Sequence, residues 1–169
     1  MTPPQQSQQP PSMFRTRHGL DEDTRRSMVI LLNQRLADAF DLFSQTKQAH
    51  WNVKGPNFFQ LHKLFDELAE QVEEHVDLLA ERATALGGQA MGTVRMAATG
   101  SSLPELPMDA AGDMAFVEAL ADRFARVAAR VGEGIDRADE AGDKATSDLL
   151  TQIARDLDQS LYFLEAHLQ

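Results

Sequence analysis

The 169-residue sequence predicts an all-α fold: one four-helix bundle with a long crossover between its second and third helices. Three observations lead to this prediction. Four segments repeat apolar residues at three- and four-residue spacing, and none alternates apolar and polar residues as a strand would. Short breaks at Gly55-Pro56 and at Gly142 separate the two helices of each pair. Between the pairs lies a stretch with five of the ten glycines and two prolines, which favours a crossover over a helix.

The first predicted pair begins with an acidic run. Residues 21–23 read DED, which suits a helix start because the helix dipole favours acidic side chains in the first turn. The first helix is predicted over residues 21–53 and the second over residues 58–86, where Gly87-Gly88 give a strong stop. The periodic apolar residues are Met28, Leu32, Leu36, Phe40 and Phe43 in the first helix, and Phe58, Leu61, Phe65, Leu68, Val72, Val76, Leu79 and Leu86 in the second.

The second predicted pair follows the crossover, which spans residues 87–112 and is predicted to contain a short helix at about 93–99. The third long helix is predicted over residues 113–140. Gly142 ends it, and Asp143 can cap a fourth helix that runs to the C-terminus. Two closely linked pairs joined by a long crossover are the ferritin-like variant of the bundle. The periodic residues are Phe116, Leu120, Phe124, Val127 and Val131, then Leu149, Leu150, Ile153, Leu157, Leu161 and Leu164.

The N-terminal residues differ in composition from the rest of the chain. Residues 1–12 are almost entirely Pro, Gln and Ser, so they cannot bury enough apolar surface to offset the entropy of ordering. We therefore expect a flexible tail over residues 1–20 and one bundle domain over residues 21–169. The length suits one well-buried domain and is short for two.

Composition restricts the classes of function. There is no cysteine, so disulfides and thiolate metal sites are excluded, and any metal must be bound by nitrogen and oxygen. No apolar run approaches the roughly 18 residues of a membrane span, and no signal peptide is recognisable, so a cytoplasmic protein is expected. The formal charge of −10 repels phosphate backbones and attracts cations. Metal ions are favoured over nucleic acid as partners.

Two histidines flank the predicted turn between the first two helices. His50 lies six residues before Pro56 and His62 six residues after it, so both should stand at the same height in an antiparallel hairpin. Asp66 lies one helical turn beyond His62, on the same face. Two imidazoles and one carboxylate with open positions are typical of non-haem Fe(II) sites, although zinc also accepts them.

Asp77 and Glu81 continue this helix face. At 100° per residue they share one sector of about 100° with His62 and Asp66. The eleven residues from Asp66 to Asp77 span roughly 16 Å, too far for one ion to bridge within a chain. In an antiparallel copy across a two-fold axis, however, the acids of one chain would face the histidines of the other. Each of the two expected sites per dimer would then contain His50, His62 and Asp66 of one subunit and Asp77 and Glu81 of the other.

Two other interpretations compete with this one, and only the first remains open. Each of these residues, taken singly, is also explained as a solvated side chain or a satisfied polar contact. An iron site inside one bundle would instead use Glu-x-x-His motifs, but no glutamate stands three residues before any histidine of this chain. A site between subunits is therefore the better interpretation.

The longest motif in the chain is HWNVKGPNFFQLHKLFDEL, and it is followed by DLLAERATALGG and RDLDQSLYFLEAHL. Over about residues 20–168 these runs resemble the Dps family, the DNA-binding proteins from starved cells, also called mini-ferritins. The resemblance implies a dodecameric shell with a ferroxidase site shared across its dimer interfaces. It implies oxidation of Fe(II), typically by hydrogen peroxide and less readily by dioxygen, and storage of the Fe(III) mineral. The family's iron ligands would correspond to His50, His62, Asp66, Asp77 and Glu81.

The N-terminal tail departs from the family's DNA-binding members, which commonly use a lysine-rich tail. The first 20 residues contain no lysine, and their permanent side-chain cations are Arg15 and Arg17. We therefore expect an iron-oxidising and iron-storing protein that limits oxidative damage. The alternative is a nucleoid-associated protein that compacts DNA and whose metal site is chiefly structural.

Overall fold

The computed structural model describes residues 12–107 and 112–169, and within these ranges it contains five α-helices and no strand. They are α1 (Glu22–Asn52), α2 (Phe58–Ala85), α3 (Val94–Gly100), α4 (Asp113–Glu140) and α5 (Lys144–Glu165). The predicted all-α bundle, its crossover and the short helix inside the crossover are confirmed. None of the helices in the described ranges is long and apolar enough to cross a lipid bilayer.

The bundle consists of two hairpins around one core. Helices α1 and α2 form the first hairpin, α4 and α5 form the second, and α1 packs on α4 between them. Phe65 of α2 and Phe124 of α4 are among the largest fully buried side chains. Burying such a ring contributes about 1.5–3 kcal/mol. Phe58 belongs to the predicted apolar stripe, but it lies 45% exposed at the start of α2, beside His62.

Side chains cap the long helices in two ways. Asp21 caps α1 by accepting from the Thr24 N–H, and Asp143 caps α5, as predicted, by accepting from the Thr146 N–H. Helix α2 has no such local cap at its first residues. Instead, the N–H of Asn57 at the start of α2 donates a hydrogen bond to the carboxylate of Asp113, the first residue of α4.

The N-terminal segment packs against the end of α2 over its described part, residues 12–20. The Phe14 N–H donates to the Gly87 carbonyl at 2.6 Å. The guanidinium of Arg25 donates to the carbonyls of Leu20 and Leu86, which fixes the segment to the end of the helix. The earlier residues of the predicted tail lie outside the described ranges, so the division into tail and domain stays a prediction.

Candidate metal centre

The two histidines meet at the end of the first hairpin. His50 lies in the last turn of α1 and His62 lies near the start of α2. The turn between them contains Gly55 at φ +145°, a backbone conformation that favours glycine. The two imidazole rings stack with centroids 3.8 Å apart and planes inclined by 19°. The structure therefore brings these two predicted residues together at one height.

Each imidazole is oriented by the main chain of the other histidine. Nδ1 of His50 lies 2.7 Å from the carbonyl oxygen of His62, and Nδ1 of His62 lies 2.9 Å from that of His50. A carbonyl oxygen can only accept, so each Nδ1 carries the proton and donates it. In the neutral rings each Nε2 then has a lone pair available, as a metal ligand requires.

Asp66 lies next to this pair of rings. Its Oδ1 is 3.8 Å from Nε2 of His50 and accepts a hydrogen bond of 2.6 Å from Nζ of Lys47. The hydrogen bond from Lys47 holds the pKa of the Asp66 carboxyl below its ordinary value; partial burial opposes this shift but is outweighed. An ionised carboxylate and an imidazole lone pair therefore face the same region, and an ammonium group already lies against the carboxylate.

The two remaining predicted ligands lie elsewhere on α2. Asp77 and Glu81 are exposed, and neither side chain makes a hydrogen bond or ion pair with any residue in the described ranges. Within the described part of a single chain, no three His, Asp or Glu side chains are close enough together to hold a metal ion. The structure thus joins His50, His62 and Asp66 at one end of α2 and leaves the other two acids apart from them.

The sequence prediction missed two neighbours of the site. Lys47 lies three residues before His50, a spacing that places both on one helix face, so the sequence indicates that they are close. Phe58 stacks on His62 with ring centroids 5.1 Å apart. Its position four residues before that histidine likewise indicates that the two side chains are neighbours. The predicted ligand set includes neither of them, because lysine and phenylalanine supply no oxygen or imidazole ligand.

Comparisons with known proteins agree with this architecture. The profile of the ferritin-like domain family matches residues 30–169. A DNA protection during starvation protein of Agrobacterium fabrum (strain C58 / ATCC 33970) is 41% identical over 155 residues, which cover 92% of this chain and 96% of that protein. The structure of DpsC from Streptomyces coelicolor superposes with a TM-score of 0.89 at 30% identity, covering 94% of this chain and 92% of that one.

A third relative carries a description of its chemistry. The Dps protein of Vibrio cholerae O1 is described as a member of a broad superfamily of ferritin-like diiron-carboxylate proteins. Its structure superposes with a TM-score of 0.86 at 26% identity, covering 94% of this chain and 99% of that one.

Proposed function

This chain belongs to the ferritin-like family and, within it, to the Dps proteins, and on that premise we propose that it is a ferroxidase and iron-storage protein. It oxidises Fe(II), preferably with hydrogen peroxide, and stores the Fe(III) mineral inside a dodecameric shell in the cytoplasm. One observation supports this proposal above the others. His50 and His62 are each fixed through Nδ1 by a backbone carbonyl, which leaves both Nε2 atoms available as ligands, that of His50 beside the Asp66 carboxylate.

The proposed site is completed by a second subunit. Two copies of α2 lie antiparallel across a two-fold axis. The histidine end of one copy, formed by His50, His62 and Asp66, then faces the acidic end of the other, formed by Asp77 and Glu81. Asp77 and Glu81 of the partner subunit then join the histidine end, and the symmetry generates two equivalent sites. Two imidazoles and three carboxylates are hard and borderline donors that suit Fe(II) and become stronger ligands as the charge on iron rises to Fe(III). The free, exposed carboxylates of Asp77 and Glu81 support this arrangement, since no described residue of their own chain uses them.

The proposed reaction balances as 2 Fe(II) + H2O2 + 2 H2O giving 2 FeO(OH) + 4 H+. Each Fe(II) loses one electron, and cleavage of the peroxide O–O bond takes up two. A site that presents two Fe(II) ions to one peroxide therefore avoids the one-electron cleavage that would release a hydroxyl radical. In this scheme Asp66 exchanges the ammonium of Lys47 for the iron substrate, and the carboxylates stabilise the additional positive charge.

Subunit complementation tests this proposal. The variants His50→Ala and Asp77→Ala damage opposite halves of the site, and each alone should oxidise iron at the background rate. When the two are co-expressed, a mixed dimer has one site with both halves intact and one with both damaged. Random pairing then restores about one quarter of the wild-type rate of peroxide-dependent Fe(II) oxidation.

The matched control damages the same half twice. Co-expression of His50→Ala with His62→Ala leaves every mixed site with a defective histidine end, so no activity should return. Recovery of Fe(II) oxidation in this control would contradict the shared site. So would a lack of recovery in the first mixture, provided that mixed particles of the wild-type mass have formed.

DNA binding is the second candidate function, because the Agrobacterium relative is named a DNA protection during starvation protein. Arg15 and Arg17 are exposed and could contact phosphate. Two arginines per chain release few counterions, although many chains on one particle would act together. Gel retardation that persists at about 150 mM salt in the wild type, and is lost in an Arg15→Ala, Arg17→Ala variant, would favour this function.

A further inference from the structure

The turn that joins the two histidine-bearing helices is bound by a residue from the other hairpin. Asp113, the first residue of α4, is 7% exposed and lies directly over this turn. Its Oδ2 accepts a hydrogen bond of 2.9 Å from the N–H of Asn57, and its Oδ1 accepts one of 2.9 Å from the N–H of Met114 in its own helix. One carboxylate therefore links the starts of α2 and α4.

The fit between Asp113 and the turn is close. A Cβ atom added at Gly55 would lie 2.6 Å from Cγ, 2.7 Å from Oδ2 and 3.0 Å from Oδ1 of Asp113. Any residue larger than glycine at position 55 would therefore collide with Asp113 and would also be disfavoured by the positive φ. The carboxylate rests against the backbone of the turn, and a small displacement of either would break the contact.

Helix α2 depends on this contact more than the helices with local caps do. The first N–H groups of a helix have no partner within the helix, and a nearby anion satisfies them and interacts favourably with the dipole. The side chain of Asn57 makes no cap hydrogen bond, and the first turn of α2 contains no acidic residue. The hydrogen bond from the Asn57 N–H holds the pKa of the Asp113 carboxyl below its ordinary value, so this anion persists at the helix start.

The histidines require the helix ends to be in register. Both Nδ1 hydrogen bonds run from one helix to the main chain of the other, so their lengths depend on how the end of α1 lies relative to the start of α2. We infer that Asp113 is a positioning residue for the metal site: by fixing the turn at Gly55 and Asn57, it holds the two imidazoles in the orientation in which each Nδ1 is bound by the main chain and each Nε2 is left as a ligand. This inference rests on the proposed function and adds a residue that contacts no ligand of the site.

Binding of Co(II) provides a test that does not depend on iron oxidation. Co(II) bound by imidazole and carboxylate gives visible absorption bands that report coordination geometry, and titration gives the affinity. In the assembled protein, Asp113→Ala should weaken Co(II) binding roughly tenfold, the lower end of the range for groups that orient metal ligands, and should alter the bands. Asp113→Asn keeps the shape and one acceptor oxygen, so its affinity should stay within about threefold of wild type.

A matched control separates this effect from the general loss of a helix cap. Asp21→Ala removes the cap of α1, which lies in the same hairpin but at its opposite end, and should leave Co(II) affinity and the bands unchanged. Should Asp113→Ala fail to assemble, Asp113→Glu retains the charge but displaces the carboxylate by one methylene. It should weaken Co(II) binding and alter the bands in a particle of wild-type mass and helicity.

The possible outcomes distinguish the two claims. If the wild-type protein binds no Co(II), the proposed function fails. If the wild type binds Co(II) and the altered Asp113 variants bind it as tightly, with the same bands, the proposed function stands and the positioning role is overturned.

Discussion

The two ends of α2 present the proposed ligands in opposite physical states. At the histidine end His50 is 9% exposed, each imidazole is fixed by a hydrogen bond, and Asp66 is paired with Lys47. At the acidic end Asp77 and Glu81 are exposed and contact no partner within residues 12–107 and 112–169. The first group is ordered before any metal or partner arrives. The second has rotamer freedom to lose when it is ordered.

This difference separates two tasks. In the proposed site the pre-ordered histidine end would determine where an ion binds and which geometry it must accept, because its donors have already lost their freedom. The acidic end would contribute charge and would adjust to its partner on the proposed assembly. Its backbone is nonetheless fixed: Arg82, next to Glu81, donates to Asp143 at 2.7 Å and so ties this end of α2 to the turn between α4 and α5. Carboxylates of the second hairpin, Asp113 and Asp143, thus anchor both ends of α2.

The largest expected effect comes from breaking the histidine end. His50→Ala removes one proposed ligand and leaves the His62 carbonyl without its donor, at a cost in stability of about 1–3 kcal/mol. We expect the initial rate of peroxide-dependent Fe(II) oxidation to fall roughly 100-fold in stopped-flow absorbance measurements. His167→Ala is the control, because that imidazole also bonds a backbone carbonyl, at Phe163, but lies exposed near the C-terminus. Equal losses in both variants would contradict a special role for the hairpin pair.

The next largest effect should come from removing the cation that already occupies the histidine end. In Lys47→Met the ammonium no longer competes for Asp66 or repels a divalent ion, so Co(II) should bind about tenfold more tightly at low salt. The pKa of Asp66 should also rise toward its ordinary value once the Lys47 hydrogen bond is lost, so binding by the variant should decline at a higher pH as acid is added. Isothermal titration from pH 7 downward would measure both changes.

Lys63→Met is the matched control for this variant. Lys63 is exposed, follows His62 in the sequence and makes no contact with Asp66 in the described part of the chain. The Lys63→Met substitution therefore removes one positive charge but leaves the contact between Lys47 and Asp66 in place. If both variants tightened binding equally, the effect would be one of net charge, and the competing role of Lys47 would be rejected.

The sequence was sufficient for the fold because the relevant signals are local. Apolar residues at helical spacing defined the long helices, and glycines at 87 and 88 ended α2 one residue from its predicted limit. The equal height of His50 and His62 also followed from sequence, because a short turn leaves an antiparallel hairpin only one register. The boundary that differs most is the C-terminal one. Helix α5 ends at Glu165, because no apolar residue after Leu164 belongs to the core.

The sequence could not reveal how the candidate site is supported. Asp113 and Asn57 are 56 residues apart, and their contact depends on how the two hairpins pack, which no local pattern encodes. The sequence predicted acidic residues in a helix start only as features of their own helix, whereas Asp113 serves α2 as well. The pairing of the histidine and acidic ends between subunits remains a prediction, since it requires a second chain.

A smaller effect should appear when a carboxylate is lengthened at each end of α2. Asp77→Glu adds one rotatable bond to an exposed side chain. Ordering this bond in the site costs about 0.5–1 kcal/mol of side-chain entropy, so Co(II) should bind roughly threefold more weakly. Asp66→Glu must fit between Lys47 and His50, so the same change should weaken binding about tenfold. Visible titration of both variants would measure the ratio. Equal losses would show that the two ends are equally constrained.

The smallest expected effect concerns acid stability. The pKa of Asp113 is lowered in the folded protein, so its contribution to stability is present above its unfolded pKa of about 4 and is lost as the pH falls toward the folded value. Asp113→Asn keeps one of the two acceptor oxygens but has no charge to lose. Its Tm should therefore lie about 2 °C or less below that of the wild type at pH 7 and approach it at pH 3.

Scanning calorimetry of Asp113→Asn and the wild type between pH 7 and pH 3 would measure both Tm curves. Converging curves would show that the charge of Asp113 holds the turn at the histidine end of α2. A constant gap between the curves would mean that Asp113 acts on this turn through shape alone, and the role assigned to its charge would be rejected.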